Sequence, residues 1–210
     1  MMVDKFYTLS ALMVVIGVVM VAGSASGAMT AQGLFESNPT ASGTLMKEFV
    51  YSTEQLHSME VSDKTVQVRS SMDWDGQYWC VRRAFLSFDA SELSISNAVL
   101  SFKYNITLVS SALPTTVRVH KVNYGGILDV GDWEAQSMGI LGTTQYTGGY
   151  EGTMEFPIPA SAFSDGKLQV MIMNSEAKPG GNGLNYRGSG TDMVLSDIKL
   201  AVTGSVYRTL

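Results

Sequence analysis

From Asn97 to Ile106 an apolar residue falls at every second position: Ala98, Leu100, Phe102, Tyr104 and Ile106 alternate with Val99, Ser101, Lys103 and Asn105. A period of two puts successive side chains on opposite faces of an extended chain, so this segment is predicted to be a strand with one face turned to a core. The same period returns at Val66/Val68, Val117/Val119, Met154/Phe156/Ile158, Leu168/Val170/Ile172 and Ile198/Leu200/Val202. Tyr78 to Phe88 differs, because Trp79, Val81, Ala84, Phe85, Leu86 and Phe88 occupy both faces. That segment reads as a long strand covered on both sides in part, with Arg82 and Arg83 marking a bend, bulge or edge contact. Only Pro159 to Phe163 could form a helical turn. Turn chemistry fills the gaps at Asp75-Gly76, Tyr124-Gly125-Gly126, Thr147-Gly148-Gly149, Asp165-Gly166 and Lys178 to Gly183. Short strands at this spacing predict an all-β chain forming a single β-sandwich, a jelly roll.

The apolar content outside those strands is concentrated at the start. Residues 6–35 carry no charge, and Lys5 precedes the run Leu9 to Ala22. A short basic region, an apolar stretch and small residues ending at Ala28 describe a secretory signal cleaved after Ala28, with a retained membrane anchor as the alternative. The expected organisation is therefore a signal peptide over 1–28, an extended polar arm over 29–50 able to donate a strand, and a jelly-roll domain over 51–210. This places the protein outside the cell or on its surface.

Composition narrows the chemistry. With 14 Lys+Arg against 19 Asp+Glu, the net charge of −5 excludes nucleic acid as a partner, since that needs a basic field. One cysteine, Cys80, excludes an intramolecular disulfide and reads as buried filler. Charged residues make up 16%, below the usual quarter, so much of the surface must be neutral.

The run from Arg82 to Tyr104 resembles the opening of DNRLRE-type secreted jelly-roll domains: Phe88-Asp89, Leu93 and Ala98-x-Leu100-x-Phe102 sit at matching positions. Val117 to Val122 followed by Asp132-Trp133-Glu134, Phe156 to Phe163 before Lys167 to Met173, and Asn185-Tyr186-Arg187 before Ser196 to Leu200 extend the resemblance over about residues 60–204. The eponymous motif is not intact. The resemblance implies a secreted or surface module, in some members carbohydrate-binding. A looser similarity is to jelly-roll subunits of extracellular fibres, sheaths or surface layers, in which a terminal arm completes a neighbour's sheet.

Catalytic signatures are missing from the sequence. His57 and His120 have no nucleophile motif beside them, and no Gly-x-Ser-x-Gly, P-loop or Cys/His metal spacing occurs. The expectation is a non-enzyme without cofactor or resident metal. Asp73-x-Asp75-Gly76 and the set Asp129, Asp132 and Glu134 could gather oxygens for a cation, against the plainer reading of turn-forming carboxylates. Trp74, Trp79, Trp133, Tyr146 and Tyr150 lie in or near turn-rich segments, where flat rings can stack on sugars, anchor an interface or cap the sandwich. Asn105-Ile106-Thr107 is a glycosylation sequon.

These readings favour a structural subunit of an extracellular or cell-surface assembly, built by edge-strand pairing with further copies of itself. The 9 methionines after residue 28, out of 13, would give an adaptable contact surface. The alternative is a carbohydrate-binding module that uses exposed Trp and Tyr on a cell-surface polysaccharide.

Overall fold

The computed structural model describes residues 28–50, 52–53, 55–62, 65–72, 77–109, 115–146, 150–174 and 191–207. Residues 1–27 of the expected signal segment, Trp74, the Asp73/Asp75 pair and the Asn185 to Arg187 motif position therefore lie outside the described residues, while Ala28 opens the first strand. Eleven strands follow in order: β1 (Ala28–Glu36), β2 (Gly43–Val50), β3 (Leu56–Ser62), β4 (Val66–Met72), β5 (Tyr78–Asp89), β6 (Ser94–Val109), β7 (Thr115–Lys121), β8 (Gly139–Tyr146), β9 (Glu151–Ile158), β10 (Lys167–Met173) and β11 (Thr191–Tyr207). Two short 3₁₀ turns, Val130–Glu134 and Ala160–Ala162, are the helical segments among the described residues. The second falls where Pro159 to Phe163 predicted a turn, with Pro159 at its N-cap.

All ladders are antiparallel, and they form an all-β sandwich that nearly closes on itself. One layer runs β3-β2-β5-β10-β7-β8 and the other β1-β11-β6-β9. β4 joins them, pairing with β11 through Val66 to Arg69 and with β5 through Arg69 to Met72. On the opposite side β8 and β9 come together without a ladder. Gly142 of β8 lies so near Phe156 of β9 that a Cβ there would sit 2.5 Å from the ring.

The alternation read from sequence sets what lies between the layers. Leu86, Phe88, Val117, Val119, Leu168, Val170 and Ile172 from the first layer meet Leu100, Phe102, Phe156, Ile158, Met193, Leu200 and Val202 from the second. Each such buried side chain stabilises the fold by roughly 1.5–3 kcal/mol relative to exposure, before entropic costs. β5 is apolar on both faces because it separates two cores: Ala84, Leu86 and Phe88 face the inner one, and Trp79, Val81 and Phe85 an outer one.

The expected N-terminal arm requires correction. Residues 28–36 pair with β11 of their own chain over nine registered positions, and residues 43–50 lie between β3 and β5. Ala31 and Phe35 are buried, so the segment completes this chain's own sheet. The connection between them is pinned as well: the Asn38 N–H donates to Ser87 O at 2.8 Å and Ser42 Oγ accepts the Ser87 N–H at 3.0 Å. The small inward residues Ala31, Gly33, Ala41 and Gly43 concealed this, since they leave Phe35 and Leu45 without a visible apolar alternation.

Candidate functional site

The two layers treat their outward faces in opposite ways. Over the first layer, the chain leaving β7 folds back across β5 and β10, so that Val122, Tyr124, Leu128 and Trp133 cover Leu45, Trp79, Val81, Phe85 and Met171. Asp129 caps the 3₁₀ turn that delivers Trp133: its Oδ1 accepts the Gly131 N–H at 2.7 Å, and Asp132 Oδ2 accepts the Asp129 N–H at 2.8 Å, a reciprocal capping box. The Tyr124 hydroxyl donates to Ala41 O at 2.6 Å, and burial pushes its pKa far above the ordinary phenol range.

Two cations roof Trp133. The Arg83 guanidinium lies 4.0 Å from the ring centre and Lys47 Nζ 4.8 Å from it, while Arg83 Nη1 donates to Trp133 O at 3.1 Å. Lys47 also donates to Glu134 Oε1 at 2.7 Å, which holds the Glu134 carboxyl below its ordinary range. Consecutive arginines in a strand point to opposite faces, so Arg83 serves this outer cluster and Arg82 turns inward.

Several expected site residues change meaning here. Trp79 is 3% and Trp133 7% exposed, so neither offers a flat ring to a sugar; both fill the outer core. Tyr150, 75% exposed, stands just before β9, and Tyr146 closes β8. Asp129, Asp132 and Glu134 are used in the capping box and the Lys47 pair, and no group of three or more metal-ligating side chains occurs among the described residues. Asp132 is raised above its ordinary value by burial first. His57 lies 4.5 Å from the Tyr78 ring, and His120 Nδ1 is 2.8 Å from Ser137 Oγ, which also accepts the Gly139 N–H at 3.3 Å ahead of β8. Cys80 is buried, and burial raises its thiol pKa, as expected of filler. Asn105 projects from β6 as an exposed residue.

Arg82 belongs to a cross-strand row that the sequence did not reveal. Registered neighbours across β11, β4, β5, β2 and β3 are Asp192, Arg69, Arg82, Met46 and Glu60. Two arginines thus sit side by side, with Asp192 Oδ2 3.9 Å from Arg69 and 3.6 Å from Arg82, all three side chains mostly buried. Arg82 also donates to Gln67 and, at 3.3 Å, to Met46 Sδ. The row neutralises the seam where β4 passes from one layer to the other.

Among the described residues, nothing covers the outer face of the second layer. Its outward residues fall in register as Thr30, Ser205 and Ser94; then Gln32, Thr203 and Asn97; then Leu34, Ala201, Val99 and Pro157. Three successive rows carry no charge, and Leu34 is 49% exposed. Charge returns in the next row, with Glu36, Lys199 and Glu155. β1 borders this face and pairs with β11 alone among the described residues. From Ala28 to Phe35 it has neither a charged residue nor a proline, the devices that ordinarily blunt an edge. β3, which pairs with β2 alone among the described residues, carries exposed His57 and Glu60.

No family model matches the chain, and no curated protein matches it. Among solved structures it is similar to a β-porphyranase of glycoside hydrolase family 86 from the human gut bacterium Bacteroides plebeius, with a TM-score of 0.33 and 11% identity. The match covers 92% of this chain and 37% of that one, so the chain spans little more than a third of the protein it matches. A likeness at this level leaves function to be argued from the chain's own surfaces. The resemblance to DNRLRE-type domains rests on strand spacing alone.

Proposed function

We propose that this protein is a structural subunit of an extracellular or cell-surface assembly, joined to further copies through the β1 edge and the adjoining outer face of the second layer. The observation that carries this reading is the uncharged surface from Thr30 to Leu34 and across to Pro157, bordered by an unguarded strand edge. Backbone groups along β1 that have no ladder partner among the described residues supply hydrogen-bonding capacity, and three charge-free rows can be desolvated without stranding an ion. Depletion of charge at a contact core is the compositional mark of protein interfaces. Cleavage after Ala28 would leave Met29 to Glu36 of β1 in place.

The donor-strand route anticipated for residues 29–50 is less well supported than edge addition, because the link that would have to open is held by the Asn38–Ser87, Ser42–Ser87 and Tyr124–Ala41 hydrogen bonds. Electron microscopy of the protein isolated from its native cells tests the proposal. Filaments, sheaths or a lattice with a subunit of this size are expected, and a monomer that persists at high concentration would defeat it.

A further inference from the structure

The end of β5, the end of β7, the start of β10 and the β1–β2 connection surround a cleft of about 390 Å³, within the ~300–1,000 Å³ typical of small-ligand sites. It lies on the first layer, and the proposed assembly makes no use of it.

In a chain of net charge −5, two lysines, Lys121 and Lys167, line this cleft against one carboxylate, Asp89. Both stand at one tight turn: Ser164 and Lys167 exchange backbone hydrogen bonds of 2.9 Å, and Lys121 Nζ lies 3.4 Å from Ser164 Oγ. The turn is rigid. Asp165 and Gly166 adopt φ of 52° and 73°, and a Cβ on Gly166 would lie 2.3 Å from Ser91 Cα.

Asp89 is already engaged. Its carboxylate accepts the Ser91 N–H at 3.1 Å and stands 3.8 Å from Lys167. The Ser91 side chain, followed by its backbone N–H and Lys167, holds Asp89 below the ordinary carboxylate range, so it offsets one of the two ammonium groups and no more. Gln169 is committed to backbone, accepting the Tyr124 N–H at 3.0 Å and donating to Gly125 O. Asn123 and Ser164 offer amide and hydroxyl groups, and Met138, 62% exposed, adds an apolar wall. Among the described residues the aromatic ring in the lining is Phe88, which is buried in the inner core and offers no base-stacking platform.

Surplus ammonium charge, neutral hydrogen-bonding groups and one thioether suit a ring that carries an acid, hydroxyls and C–H faces together. We propose that the cleft binds an acidic saccharide unit of the uronic-acid type, with its carboxylate between Lys121 and Lys167, its hydroxyls on Asn123 and Ser164, and a ring face against Met138.

Calorimetric titration of the native chain with trigalacturonate, galactotriose and inorganic sulfate tests this, alongside Lys121→Gln, Lys167→Gln and Asp89→Asn. Trigalacturonate is expected to bind saturably and to weaken as salt rises. Each lysine substitution should reduce affinity about tenfold or more, and Asp89→Asn should increase it by releasing Lys167. Galactotriose and sulfate should each bind at least ~10-fold more weakly. Absence of trigalacturonate binding, equal binding of sulfate, or equal affinity in Lys121→Gln with an unchanged circular dichroism spectrum would overturn the proposal.

Discussion

Both layers of the sandwich share one inner core, yet in the first a loop covers the outer face of β5 and β10, and in the second the outer face has no cover among the described residues. The difference starts in the strands. Outward positions on β5 and β10 are Val81, Phe85 and Met171, which need a cover and receive one from residues 122–133. In the three rows from Thr30 to Leu34, outward positions on β1, β11 and β6 are Thr, Ser, Gln and Asn with Leu34, Ala201 and Val99. Such a face is stable in water without a cover, and its lack of charge also leaves it free to be covered. The comparison separates two uses of neutrality: apolar residues that stabilise the fold, and uncharged polar residues that leave a surface open to a neighbour.

The sharpest way to break this contrast is to strip the cover from the first layer. Trp133→Ala removes the ring that Arg83 and Lys47 roof and should cost about 3 kcal/mol in urea unfolding; a loss below ~1 kcal/mol would mean that the loop merely rests on the sheet. Next comes the seam joining the layers. Asp192→Asn leaves Arg69 and Arg82 adjacent without their shared counter-charge. The expected loss is about 2 kcal/mol, below the full cost of breaking a buried pair because the three side chains keep some solvent contact. Added salt should shrink it, and a salt-independent loss would point to packing in place of charge.

The smallest effect lies at the rim of the cover. Glu134→Gln should cost about 0.3 kcal/mol at neutral pH, since the Lys47 pair is largely solvated on the Glu134 side. Lys47 lowers the folded-state pKa of Glu134 below its ordinary 4.5, so the stabilisation is present above that value and disappears as pH falls through the folded-state value. Unfolding curves of native and variant protein should therefore converge in acid.

Much of the fold was legible in the sequence because period-two alternation is a direct record of one-sided burial. Ala98, Leu100, Phe102 and Ile106 point inward as their spacing required, and the doubly apolar β5 is covered on both sides. What covers β5 was not legible: residues 122–138 have no period, and Trp133 in a turn-rich segment looks the same whether it points out or in. The acidic trio near it was ambiguous for a related reason, since an Asp that caps a turn and an Asp that binds a cation share the same local spacing. The bare face was hidden because it exists only in register. Leu34, Ala201, Val99 and Pro157 become neighbours through three separate strand pairings, and composition records only that charge is scarce. The Lys121–Lys167 cleft joins strand ends distant in sequence. The doublet Arg82-Arg83, read as a bend, bulge or edge contact, lies in ladders without a register shift, with Arg83 on the outer cluster and Arg82 in the seam row.

If the proposed assembly holds, the open face and edge of the second layer, and not the loop-covered face of the first, carry self-association. Sedimentation velocity over a concentration series of the native protein, Leu34→Lys and Val130→Lys places one new charge on each side of the comparison; Val130 is 43% exposed on the covering loop. Concentration-dependent assembly is expected in the native protein and in Val130→Lys, and a monomer throughout for Leu34→Lys. A monomeric native protein, or assembly that survives Leu34→Lys and is lost in Val130→Lys, would contradict the proposal.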